Sequence, residues 1–141
     1  MRILQKIRIG HPIRPRYMAP DETTTQIEMT PVLERATELA ADRKGVDMLV
    51  MDLRGISNAT DFFFLVSGTS DMHARSIAEH IIEELKKEGV RPSHVEGLRS
   101  GRWVLIDYID FVVHVFHPAA REFYQLERLW GDAPVQALEE E

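Results

Sequence analysis

The side chains able to do chemistry gather in "DYIDFVVHVFHPAAREFYQLERLWG", Asp107 to Gly131, which holds two aspartates, two histidines and a run of aromatics. A pair of carboxylates held close can bind magnesium or divide acid and base work. Asp107 and Asp110 flank a short connection between two strand-like segments, however, where aspartates commonly hydrogen-bond the turn backbone. Neither has a nucleophile motif or a glycine-rich phosphate loop beside it. His114 and His117 invite a metal reading, yet side chains alternate faces along a strand, so a spacing of three sends them to opposite sides of a sheet. They read instead as half-buried packing or interface groups, with His117 able to sit at a helix entrance. No metal ligand set and no cofactor is assigned.

A second stretch, "SGTSDMHARS", carries the strongest enzymatic reading. A strand that ends in Gly68-Thr69-Ser70 just before a helix offers backbone amides to a phosphate. Nucleotidyltransferases use a similar turn, but they also need closely paired acids on the following strand to hold two metal ions. No Asp-x-Asp pair follows here, and Asp71 is the only acid in the turn. The turn therefore reads first as a strand-to-helix cap. Nucleotidyl transfer at Gly68-Thr69-Ser70 stands as the alternative function.

The aromatics divide by position. Phe123, Leu126 and Trp130 share a helical face, while Phe111, Val113 and Val115 share a strand face, so both sets belong to a core. Trp103 and Tyr108 sit at the start and end of one strand beside aspartates, where an exposed aromatic with a polar tip can anchor a partner.

These groups must be positioned by the elements around them. Thr30-Pro31 is an N-cap followed by proline in the first turn, after which Val32, Leu33, Ala36, Leu39 and Ala40 recur at helical spacing until Gly45. "VDMLVMDL" and "DFFFLVSG" read as buried strands. Ser70 caps a helix whose Ala74, Ile77, Ala78, Ile81, Ile82 and Leu85 form one stripe, closed by Gly89. "SHVEG" is a short strand, "RWVLID" and "FVVHVFH" form a hairpin, and a last helix runs from near Pro118 to Trp130. The order predicts an α/β (α+β) layer, with a mixed sheet of about five strands covered by helices.

Composition narrows the partners. One domain of 141 residues with 44% hydrophobic side chains can bury a core. No apolar run suits a membrane span or a secretory signal, and with no cysteine the chain fits a reducing, cytosol-like compartment. The net charge of -6 is uneven: Arg2, Lys6, Arg8, Arg14 and Arg16 lie in the first 20 residues with no acid among them, so every acid falls in the remainder. That acidic body repels phosphate backbones and attracts basic partners. Residues 1–29, with Pro12, Pro15 and Pro20, read as a basic N-terminal extension, either a loosely docked tail or an arm touching RNA. Residues 30–134 form the domain and 135–141 an acidic tail.

From Thr30 to Pro134 the chain resembles the Iojap, or RsfS, ribosomal silencing factors. The resemblance is carried in register by Thr60-Asp61, Ser67-Gly68-Thr69-Ser70, Val95-Glu96-Gly97, Trp103, Asp107, Asp110, His114-Val115, Tyr124, Leu126-Glu127 and Leu129-Trp130. Family members commonly carry glycine where this chain has Ile109, which leaves the hairpin turn type open. The resemblance implies a nucleotidyltransferase-like fold without the catalytic acids and a non-enzymatic role. It further implies binding to the large ribosomal subunit through that subunit's protein number fourteen, a steric block to joining with the small subunit, lower translation when nutrients are scarce, and a homodimer when free. Carried over by position, Trp103, Asp107, Tyr108 and Asp110 are the expected contact residues. A general dimeric adaptor is the remaining rival.

Overall fold

The computed structural model of the chain describes residues 26–120, 131 and 133–138. Helix α1 (Pro31–Asp42) begins as its sequence dictates: the Thr30 hydroxyl accepts a hydrogen bond from the Leu33 amide, and proline occupies the first turn, where no amide is needed. Its buried stripe is Leu33, Ala36, Leu39 and Ala40. The left-handed residue past its end is Lys44 (φ 60°), not Gly45. Gly45 is small for a different reason, since a Cβ there would lie 2.5 Å from the Val66 side chain, where the helix end meets the sheet.

Strands β1 (Val46–Asp52) and β2 (Phe62–Ser67) follow and pair antiparallel. Helix α2 (Asp71–Lys87) is capped by the Ser70 hydroxyl, which accepts from the His73 amide at 3.0 Å. Its end is a Schellman closure around Gly89 (φ 88°), with the Val90 amide donating to the Leu85 carbonyl and the Gly89 amide to that of Lys86. Strands β3 (His94–Glu96), β4 (Trp103–Asp107) and β5 (Phe111–Phe116) complete the predicted set. Residues 118–120 open a further helix; the expected continuation to Trp130, with Phe123, Tyr124 and Leu126, lies outside the described residues.

A sixth strand, β6 (Val135–Ala137), extends the sheet to the order β3-β4-β5-β2-β1-β6. All neighbours are antiparallel except β2 and β5, which run parallel from Phe62 beside Phe111 to Ser67 beside Phe116. The α/β reading holds, with two corrections. Val135 to Ala137 is sheet rather than acidic tail, pairing with Met51 to Leu49 of β1. The body also starts earlier than residue 30, because Ile27 is 5% exposed in the core and its amide donates to Gln136 Oε1 at 2.7 Å. Three residues of strand show no periodicity, and a single apolar residue in a polar stretch shows none either, so neither was legible in composition.

The sheet is buried on both faces. Phe62, Phe64, Val66, Phe111, Val113 and Val115 pack under α1 and α2. Phe63, Leu65, Trp103, Leu105, Val112 and Phe116 face the other way, with Ala120 and Ala133 against them. Each large apolar side chain sequestered in this way contributes about 1.5–3 kcal/mol of transfer free energy. No helix among the described residues is long and apolar enough to cross a membrane.

The β6 correction has a measurable consequence. Ending the chain at Ala133 uncovers the β1 edge and removes the partner of Ile27. The truncated chain should melt roughly 5 °C or more below the parent and self-associate by light scattering. An unchanged melting temperature would show that β6 adds nothing to the fold.

Candidate functional site

Parallel pairing of β2 with β5 brings the start of each strand to one end of the sheet. The Asp61 amide donates to the Asp110 carbonyl at 2.9 Å, fastening the residue before β2 to the residue before β5. Asp61 and Asp110 are exposed, Asp107 is half-buried, and no lysine or arginine lies between Trp103 and Phe116. The hairpin end is therefore a carboxylate-rich corner. Arg54 is nearby and senses the charge of Asp61, but it is already held by Asp52 through contacts of 2.7 and 3.0 Å while lying 5.0 Å over the Phe62 ring. The same guanidinium holds the Asp52 carboxyl below its ordinary range.

The aspartates first shape the turn, as their positions predict. Asp107 Oδ1 accepts from the Ile109 amide at 2.7 Å. The Tyr108 amide donates to the Phe111 carbonyl, and the Asp110 amide donates back to the Tyr108 carbonyl, both at 2.9 Å.

Of the expected contact residues, Asp107, Tyr108 and Asp110 come together and Trp103 does not. Trp103 opens β4 opposite Phe116, at the far end of the hairpin. The expectation of an exposed Trp and Tyr is also corrected, since each is only 8% exposed. Tyr108 stacks on Phe111 with ring centroids 5.0 Å apart, and burial pushes its phenol up to about 12. Trp103 points into the other face, where its Nε1 donates to His114 Nδ1 at 3.0 Å and its ring lies 5.1 Å from that of Phe116. A sheet covered on both faces buries strand-end aromatics that a one-faced sheet would expose. Asp61 and Ile109 belong to the corner and were not singled out from sequence as contact residues; the signal for Asp61 was its place directly before a strand that pairs in parallel.

His114 is fully buried rather than half-buried, and burial pushes its imidazole down to about 3. His117 stands at the helix entrance, its Nδ1 accepting from the Ala119 amide at 3.2 Å. The two histidines are each committed to separate partners, and among the described residues no group of three or more His, Asp or Glu could hold a metal ion.

The first two amides of the Gly68-Thr69-Ser70 turn are spent internally. The Gly68 amide donates to the Phe116 carbonyl, the Thr69 amide to His73 Nδ1 at 2.8 Å, and the His73 and Ala74 amides to the hydroxyl and carbonyl of Ser70. His73 Nε2 in turn lies 2.7 Å from the Arg43 carbonyl, tying the end of α1 to the start of α2. A Cβ on Gly68 would fall 2.5 Å from the Ala74 amide, so glycine here serves helix-to-strand packing. These contacts make the turn a helix cap and occupy the Gly68, Thr69 and His73 amides.

The Trp103–His114 pair sets a pH dependence. The unfolded imidazole takes up a proton near 6.5 while the folded one resists until about 3, so proton uptake favours unfolding in that window. Stability from this site should be complete above pH 6.5 and fall toward pH 3, by up to ~1.4 kcal/mol per pH unit. Urea titrations at stepped pH should show a shallower slope for His114→Gln. At neutral pH, Trp103→Phe should cost about 1–3 kcal/mol by leaving Nδ1 without its donor; an undiminished urea midpoint would remove that hydrogen bond from the stability account.

The comparisons with known proteins agree across the described chain. Residues 26–141 match the model of the family described as "RsfS: Ribosomal silencing factor during starvation". The ribosomal silencing factor RsfS of Bacillus subtilis is 40% identical over 108 residues, covering 77% of this chain and 92% of that protein. The mitochondrial Iojap-related protein of Arabidopsis thaliana is 32% identical over 104 residues, covering 70% of this chain and 56% of that one. A crystal structure from Chromobacterium violaceum superposes with a TM-score of 0.71 at 34% identity, covering 74% of this chain and 88% of its own. With the family's model matched from before α1 to beyond β6, the chain belongs to the ribosomal silencing factor family, RsfS.

Proposed function

We propose that this protein silences ribosomes by binding the large ribosomal subunit through that subunit's protein number fourteen. Seated there, it blocks joining with the small subunit and lowers translation when nutrients are limiting. The observation that carries the reading is the family match over residues 26–141. A mouse relative, 27% identical over 101 residues, is named for mitochondrial assembly of the large ribosomal subunit, which favours the large particle. The mechanism is steric and needs no turnover. In this reading the free chain is a homodimer in a cytosol-like compartment.

The carboxylate corner supports a protein partner over naked RNA. Phosphates are repelled by Asp61, Asp107 and Asp110, whereas lysine and arginine side chains on a basic ribosomal protein gain charge-assisted hydrogen bonds. We assign direct contact to Asp107 and Asp110. Tyr108, 8% exposed, contributes a residual edge, while Trp103, at the far end of β4, holds the strand that carries Asp107.

Co-sedimentation with isolated large subunits, small subunits and joined ribosomes tests this directly. The protein should pellet with free large subunits and reduce joined ribosomes as it is added. Absence of binding to every particle would end the reading. Asp107→Asn with Asp110→Asn keeps the turn acceptor at 107 yet removes both charges, so the fold should persist. Affinity should drop about tenfold or more, with a weaker salt dependence, if each lost contact is worth ~1–2 kcal/mol.

A further inference from the structure

We infer that Ile109 is a strained apolar anchor at the tip of the β4–β5 hairpin, which inserts into an apolar recess on a basic protein surface. The inference rests on the ribosomal reading and deepens it. Ile109 has φ 72°, and the Asp110 amide closes onto the Tyr108 carbonyl two residues back. This is the pattern of the γ-turn with positive φ, a rare and strained turn. A β-branched side chain is among the least suited to that conformation. Glycine would occupy it without strain.

The side chain recovers little from the fold. Ile109 is 64% exposed, and among the described residues only Met72, on α2, is a comparably exposed large hydrophobic. The surroundings nevertheless clamp it. Asp107 holds its amide, the rings of Tyr108 and Phe111 on either side of the turn stack on each other, and the Asp61 amide, just before β2, fixes the Asp110 carbonyl. A clamped, projecting apolar side chain loses little entropy on docking, and strain of this kind concentrates at binding sites.

Charge selects the occupant. Asp107 and Asp110 flank the tip, and Asp61 is bonded through its amide to the Asp110 carbonyl, so three acids stand at this end of the sheet, two of them exposed, a pattern that disfavours phosphate backbones and anionic lipid headgroups alike. A basic protein surface with an apolar recess satisfies both the rim and the tip.

The experiment compares Ile109→Gly, Ile109→Asn and Ile109→Leu in the full chain by thermal unfolding and by co-sedimentation with isolated large subunits. Glycine and asparagine tolerate positive φ, so both variants should melt at or above the parent temperature while binding about tenfold more weakly. Leucine keeps an apolar tip and should bind within about threefold of the parent. The loss in Ile109→Gly should persist at raised salt, unlike losses from removing carboxylates. Parent-like binding by Ile109→Gly, alongside weakened binding by the aspartate variant, would overturn the anchor and leave the ribosomal reading intact. Failure of the parent chain to bind large subunits would overturn both. Equal loss of binding to protein-free ribosomal RNA would assign the tip to RNA and overturn the basic-protein assignment.

Discussion

The parallel pairing of β2 with β5 is the constraint on which the rest of the structure depends. Both strands are buried along their whole length and on both faces, so every amide and carbonyl between them must be paired within the sheet. A parallel pair cannot be joined by a tight turn, which requires a long excursion through α2, β3 and β4. That excursion returns as the β4–β5 hairpin. The pair is locked at both ends by loop hydrogen bonds, Asp61 to Asp110 at one and Gly68 to Phe116 at the other. One end thereby becomes the carboxylate corner and the other the capped turn of α2.

The same constraint explains why the two ends differ in chemistry. At the Gly68 end a helix starts directly after the strand, with Ser70 capping the His73 amide and His73 accepting from the Thr69 amide. At the Asp110 end no helix starts, so the carboxylates are left to solvent apart from the turn bond of Asp107. Asp71 is the acid of the capped turn, whereas Asp61, Asp107 and Asp110 gather at the opposite end of the β2–β5 pair.

Much of this was legible in the sequence because periodicity reports burial. The stripe from Ala74 to Leu85 and the cap at Ser70 leave little freedom for α2, and the runs Phe62–Ser67 and Phe111–Phe116 could only be strands buried on both sides. The turn role of Asp107 followed from its residue type and place. What failed was exposure. Trp103 and Tyr108 sit at strand ends beside aspartates, a pattern shared by surface anchors and by core aromatics of a doubly covered sheet, and sequence alone does not reveal the second cover. Strand β6 depends wholly on its pairing with β1, and the conformation of Ile109 on hydrogen bonds from residues on either side.

Trp103 still bears on the corner, though it does not lie there. On β4 and β5 it is a diagonal neighbour of His114, and their hydrogen bond is a polar contact set within an otherwise apolar face of Phe63, Leu65, Leu105 and Phe116. A slip of one residue along β4 would turn Trp103 toward the helices and leave His114 Nδ1 buried without a donor. Such an orphaned acceptor costs about 1–3 kcal/mol, on top of the misplaced apolar side chains. The pair therefore fixes the hairpin register. Register decides which residues fall in the turn, and so whether Asp107 receives the Ile109 amide. A buried tryptophan at one end of the strand thus specifies the geometry of an acidic tip at the other, without touching whatever binds there.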